Sequence, residues 1–291
     1  MLAAGYSDSE LQRLRRGGAL AMVRRGAYVG SADRRLGDSV ARHALLIAAE
    51  AGRVAPSAVV SHVSAAILHG LPVWGVPLDR VHVTRARATG ARAGRTVAVH
   101  SAPLAAAQIT TVAGVATTCP ARTVVDLART SSFESGVVTI DAALRRGLVT
   151  EETLADALRR AIGWRDAPAA RRAVAFADGL AGSVGESRSR VALQHHGLPA
   201  PTLQWEVWDG GELIGRVDFG WPERGTVAEF DGRIKYGRLL RPGQEPGDAV
   251  FDEKLREDRL RAAGLRVVRW GWKDLSDFAG TAGRLRAALN A

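Results

Sequence analysis

Apolar side chains recur along the chain with two different periods, and the places where the period changes divide it. Near the start, Ser7-Asp8-Ser9-Glu10 has the spacing of a capping box, and Leu11 and Leu14 supply an apolar stripe that stops at Gly17-Gly18, which predicts a short helix. The run from Ala21 to Val29 predicts two short strands around a tight turn that carries Arg24 and Arg25. Helices are expected over Asp38 to Ala51 and Pro56 to His69, the second with Val59, Val60, Val63 and Ile67 on one side. From Arg80 to Thr118 the pattern is strand-like, with Val81 and Val83, then Val97 and Val99, then the β-branched stretch from Ile109. Between Pro120 and Ala177 it turns helical again, in a segment from Arg122, a second over Val137 to Arg146, and a third capped by Thr150.

The last 110 residues read most clearly. A helix over Glu186 to His196 closes at Gly197. Strands follow over Leu203 to Trp208 and Glu212 to Phe219 around Asp209-Gly210-Gly211, and a third spans Thr226 to Asp231. A charged helix from about Val250 to Ala263 leads to a fourth strand, Leu265 to Trp270, and a final helix. The order is α-β-β-β-α-β, and three consecutive strands followed by a helical crossover make a mixed sheet rather than a doubly wound one. The fold class is therefore α/β. Small residues from Gly179 to Gly185 mark a linker, and the expected division is 1–75, 76–180 (strands, then helices) and 181–291.

Composition narrows the function. At 291 residues with 46% apolar content the chain can fill two or three cores, and no apolar run approaches the roughly 18 residues of a membrane span. A single cysteine, Cys119, excludes an internal disulfide and a cysteine-rich metal site, so a cytoplasmic protein with no membrane partner is expected. The net charge of +10 is lopsided: residues 1–180 hold 23 arginines against 14 acids, whereas the remainder is nearly balanced. A basic module suits a polyanion, bound through phosphate contacts with counterion release. Short basic helix followed by basic hairpin is the order of a winged helix, so Arg13, Arg15, Arg16, Arg24 and Arg25 are the expected DNA contacts.

Carboxylates are costly in a sheet, and three stand in adjacent predicted strands: Asp218, Glu229 and Asp231. Glu229 and Asp231 share a face by strand alternation, and an antiparallel partner can bring Asp218 beside them. Such clustered acids repel unless a divalent cation such as Mg²⁺ neutralises them, and Glu186 on the preceding helix can add an oxygen. The alternative is that Asp218 and Asp231 cap strand ends while Glu229 pairs with Arg216 or Arg233.

This element order, with Glu186, Arg216-Val217-Asp218-Phe219, Glu229-Phe230-Asp231-Gly232, Glu257-Asp258-Arg259 and Gly264-Leu265-Arg266-Val267-Val268-Arg269-Trp270, resembles the Vsr-like (very-short-patch-repair type) branch of the PD-(D/E)xK nucleases. The resemblance implies a restriction-endonuclease-like sheet in which Asp218 and Glu229 bind Mg²⁺ or Mn²⁺ and Glu186 supports the metal or its water, for DNA phosphodiester hydrolysis. Where that family places a lysine two residues after the acid, this chain has Asp231. Lys235 is then the nearest substitute and Lys254 the next. Separately, Ser61-His62-Val63-Ser64-Ala65-Ala66-Ile67-Leu68-His69-Gly70-Leu71-Pro72, downstream of the Arg-Arg-Gly-Ala-Tyr-Val turn, is similar to the AbiEi-type antitoxins of bacterial abortive-infection systems. That similarity implies a winged helix on the protein's own promoter and a cognate toxin as partner. The first expectation is a Mg²⁺-dependent DNA endonuclease or nickase of bacterial defence or repair. The second is an antitoxin or transcriptional regulator whose nuclease-like domain is inactive.

Other features read as structural. His62 and His69, seven apart on one predicted helix, stand roughly 10 Å from each other, too far to share a metal. Trp205, Trp208, Trp270 and Trp272 alternate along strands and read as packing.

Overall fold

The computed structural model describes residues 6–55, 57–86, 92–232 and 246–291. They form two compact units, one of residues 1–139 with 147–175 and one of residues 140–146 with 176–291. The α/β class holds in both.

In the first unit, helix α1 (Asp8–Arg16) begins at the expected capping box of Ser7 and Glu10 and precedes the antiparallel pair β1 (Leu20–Arg24) and β2 (Ala27–Gly30). Asp38 caps α2 (Ser39–Ala51) by accepting from the Ala41 amide. The helix expected over Pro56 to His69 is only half present. Ala58–Val60 is a strand, β3, and the helix α3 runs from His62 to Leu68. β3 lies inside a six-stranded mixed sheet with β4 (Val81–Arg85), β5 (Arg92–Ala93), β6 (Val97–Ser101), β7 (Ile109–Val112) and β8 (Val115–Thr118), in the order β5-β6-β4-β3-β8-β7. A strand buried on both faces is a continuous apolar run, so Ala58-Val59-Val60 carries no period that distinguishes it from helix. The expected boundary at residue 75 falls inside this unit, because β3 pairs with β4 and β8 across it.

Helices α4 (Pro120–Thr130), α5 (Phe133–Arg145), α6 (Glu151–Arg160) and α7 (Ala167–Phe176) follow. α4 buries an ion-pair cluster: Arg122 and Arg129 both reach Asp126, at 2.7 and 3.1 Å, and both guanidiniums lie over the Trp164 ring. Three such groups are tolerated inside because each is paired and hydrogen-bonded.

The second unit takes the end of α5 together with α8 (Val184–His195), β9 (Thr202–Asp209), β10 (Glu212–Trp221), β11 (Thr226–Asp231), α9 (Pro246–Ala262), β12 (Arg266–Gly271) and α10 (Ala279–Asn290). The α-β-β-β-α-β order is as expected. Its sheet runs β12-β11-β10-β9, antiparallel except for β11 beside β12. One face carries Phe219, Trp221, Phe230 and Trp270 with Leu193 of α8 and Leu285 of α10; the other carries Val207, Val217 and Val227 with Leu260 of α9. Buried Asp141 of α5 binds Arg190 of α8 at 2.8 Å and accepts from the Asp178 amide, which ties the entry of α8 to the α5 terminus. Gly185 lets α8 approach β11: a Cβ there would lie 1.9 Å from a Phe230 ring carbon.

Candidate functional site

The acids singled out above are distributed over two faces of the second sheet. Glu186 sits in the first turn of α8, buried, and its carboxylate accepts from the Gly182 amide at 2.7 Å and from the Ser183 hydroxyl at 2.9 Å. A third donor is the side-chain amide of Gln204 on β9, at 2.8 Å from Glu186 and 3.5 Å from Asp218. Gln204 has a φ of 51°, a left-handed conformation uncommon outside glycine, and it lies between Leu203 and Trp205, which pack on opposite faces of the sheet. The local twist therefore turns the amide toward both acids.

Asp218 is half-buried on β10. The β10–β11 pairing runs from Trp221 opposite Thr226 to Phe219 opposite Ala228, and just beyond it the Asp218 carboxylate accepts a hydrogen bond from the Phe230 amide at 2.9 Å. A side chain thus replaces a ladder bond where the strands part. The β10–β11 pairing stops one position short of Asp218 and Glu229, and the environments of the two acids differ. Glu229 is on the α9 face, with one carboxylate oxygen 2.5 Å from Arg256 of α9 and the other 2.8 Å from Arg269, its neighbour on β12. Arg269 is shared with Glu257 at 3.0 Å. Arg256 and Arg269 are partners of Glu229; of the two expected partners, Arg216 is exposed and Arg233 lies outside the described residues.

Asp231, half-buried, ends β11 opposite Gly271. Lys235 lies outside the described residues, and Lys254 is exposed on α9. Among the described residues, the acids Glu186, Asp218, Glu229 and Asp231 supply no group of three oxygens within 4.8 Å of one another; the group of three metal-capable side chains at that spacing consists of histidines in the other unit.

Glu229 is held by Arg256 and Arg269, so a Mg²⁺ ion between Asp218 and Glu229 would have to compete with two guanidiniums for that carboxylate.

The expected DNA contacts fall differently. Arg13, Arg15 and Arg16 occupy the last turn of α1, where cations suit the helix dipole, and all three are exposed. Arg15 lies over the Tyr28 ring of β2, which joins helix and hairpin into one surface, and a groove of about 470 Å³ is lined by Gln12, Arg15, Arg16, Leu20 and Met22. Arg25 is exposed at the hairpin tip. Arg24 is not part of this surface: its side chain is 9% exposed and pairs at 3.1 Å with buried Glu50, which also accepts from Thr96. Arg24 is the last residue of β1 and Arg25 lies in the turn beyond it, which separates the two.

Reading the sequence missed Gln204, Arg256 and Arg269. Gln204 is visible in retrospect as a polar residue in an apolar strand. Arg269 meets Glu229 only through a parallel pairing across the α9 crossover, which no local pattern encodes.

No family model matches the chain. Two Mycobacterium tuberculosis proteins, the uncharacterized proteins MT2308 and Rv2248, are each 32% identical to it over 176 residues, covering 56% of this chain and 64% of theirs. The chain therefore spans less than two thirds of the length of these relatives. The crystal structure of the RV2827C protein from Mycobacterium tuberculosis is similar over 70% of this chain and 77% of its own, at 17% identity and a TM-score of 0.36, too distant to assign a fold. No helix among the described residues is long and apolar enough to cross a membrane.

Proposed function

We propose that this chain is a DNA-binding regulator of the AbiEi-antitoxin kind. In this reading α1 and the β1–β2 hairpin act as a winged-helix-like module on duplex DNA, and the second unit is a Vsr-like, restriction-endonuclease-like domain that does not cleave. The observation that carries the reading is the exposure of Arg13, Arg15, Arg16 and Arg25, with Arg15 and Arg16 lining one groove beside β1, while Arg24 is tied to Glu50. Phosphate oxygens are the natural partners of such a surface, and a cognate toxin would be the protein partner.

The test is the salt dependence of binding to a duplex from the protein's own promoter region. Replacing Arg13, Arg15 and Arg16 together with alanine should weaken binding to every sequence and reduce the log–log salt slope by roughly 2.7, at about 0.9 per phosphate contact. An unchanged slope would remove α1 from the interface.

A second reading, a Mg²⁺- or Mn²⁺-dependent endonuclease or nickase, draws support from the Glu186–Gln204–Asp218 array alone. It requires Arg256 and Arg269 to release Glu229 when DNA and metal arrive.

A further inference from the structure

The first unit brings together three histidines that are far apart in sequence. His62 opens α3, His82 is on β4 and His100 is on β6; β4 and β6 pair in parallel with Thr84 opposite His100, so the two strand histidines come within one step of each other. His100 Nε2 and His82 Nδ1 are 3.1 Å apart, and one nitrogen from each of the three rings lies within 4.8 Å of the others. His62 is 1% exposed, its Nδ1 is 2.9 Å from the Ser61 hydroxyl, and its Nε2 is buried with no hydrogen-bond partner. Its backbone has a φ of 53°, a strained conformation for a residue with a side chain. Such strain is retained where the surroundings hold a side chain in place.

We propose that His62, His82 and His100 bind a divalent transition ion of the Zn²⁺ class, with the fourth position left to water. Zinc–imidazole bonds of about 2.0–2.1 Å put tetrahedral ligand nitrogens about 3.3 Å apart, so the strand pair is already at that spacing, while the His62 and His100 rings, stacked with centroids 3.7 Å apart and planes at 19°, must turn out of parallel for their nitrogens to converge. Three imidazoles and no thiolate suit Zn²⁺ over Mg²⁺ or Ca²⁺, which take oxygen ligands. Ser61 is the outer-shell partner that this chemistry requires: with Nδ1–H donated to its hydroxyl, His62 presents the Nε2 lone pair. Thr84 donates to the same Ser61 oxygen and fixes it. The proton now shared between His82 and His100 would pass to an outward-facing ring nitrogen, without net release.

The surrounding charges are mixed. Arg122 and Arg129 approach from α4 but are paired with Asp126, and Asp79 and Arg80 flank β4 with His43 on α2. Burial foremost, and the neighbouring histidines after it, hold His62 well below its ordinary pKa and His82 at about 4, and burial also lowers His100 against the pull of Asp126.

The test uses the full chain, stripped with chelator and dialysed, with Zn²⁺ and Co²⁺ as probes. One equivalent of Zn²⁺ should remain bound, and free Zn²⁺ at 100 times Kd should raise Tm by roughly 5–10 °C. Co²⁺ should give the intense visible bands of a tetrahedral site. His100→Ala and His82→Ala, both at half-buried positions, should each weaken binding by more than about 100-fold, beyond the loss of an outer-shell partner. His62→Ala is a poorer probe because its ring is in the core. Sub-stoichiometric zinc in the wild type, an aqueous-type Co²⁺ spectrum, or retention of the metal by both variants would each overturn the proposal; the last outcome would place the metal elsewhere, for instance at His195–His196. If a variant fails to fold, the wild-type Co²⁺ spectrum still decides.

Discussion

His43 shows how one buried imidazole can be assigned a proton and a pH dependence. Its Nδ1 is 2.9 Å from the Leu78 carbonyl, which can only accept, so Nδ1 carries the hydrogen; Nε2 then accepts from the Ser64 hydroxyl at 2.8 Å. Ser64 in turn accepts from the His82 amide. Burial, opposed by the Leu78 bond, lowers the His43 pKa below its ordinary 6.5. The unfolded chain therefore binds a proton that the folded chain refuses, and this group's contribution to stability is complete above about pH 6.5 and falls as the pH drops toward the folded-state value. NMR titration should find the His43 ring neutral at pH 6.5, and a midpoint at or above that value would refute the assignment. Glu229 is a second residue with a defined burden. Glu229→Gln leaves Arg256 and Arg269 facing each other without their shared anion, and the urea midpoint should fall by the equivalent of about 2–3 kcal/mol, at the lower edge of the buried range because both guanidiniums are partly solvated.

Helix α8 illustrates a conflict between local propensity and packing. Ala is better than Gly inside a helix by about 1 kcal/mol, which would favour Gly185→Ala. The added methyl, however, would meet the Phe230 ring at 1.9 Å, and overpacking a core costs about 1–3 kcal/mol. Packing should win: the variant should melt lower, and the displaced α8 should loosen the Gln204 amide from Glu186, visible as faster hydrogen exchange at the Gly182 amide. An unchanged Tm would mean that Phe230 can turn aside. The β1–β2 hairpin makes the complementary point, because its register sends Arg24 inward to Glu50 and leaves Arg25 at the tip.

Across the whole chain, positive charge and acid chemistry are divided between two parts. Nine of the ten excess charges fall in residues 1–180, and in the second unit Glu229 is paired with arginines while Glu186 and Asp218 accept from amide donors. A regulator should therefore bind DNA in Mg²⁺ or Mn²⁺ without nicking plasmid, with no rise in Tm from either ion, and Asp218→Asn should leave affinity for DNA unchanged. Metal-dependent nicking by the wild type that Asp218→Asn abolishes would restore the endonuclease reading.

Much of the α/β order is legible in the amino acids alone: the capping box at Ser7, the Thr150 cap, the Asp209-Gly210-Gly211 hairpin and the α-β-β-β-α-β succession all rest on interactions between near neighbours. Near-neighbour rules also make Glu186, Asp218 and Glu229 conspicuous as acids where apolar residues belong. They cannot say which cation or donor answers each acid. Arg269 reaches Glu229 through a parallel strand pair, Arg256 through a helix crossing the sheet, and Gln204 through a left-handed residue in a strand. The helix expected over Pro56 to His69 fails at Ala58–Val60 for the same reason, since Val59 and Val60 are strand only because β4 and β8 flank them. His69, seven residues after His62, bonds the Thr118 carbonyl at 2.8 Å, while His82 and His100 join His62 only when the parallel β4–β6 register closes. Contacts between distant segments depend on which strands become neighbours, and that choice is made by burial of the whole apolar surface, a quantity that no short stretch of chain contains.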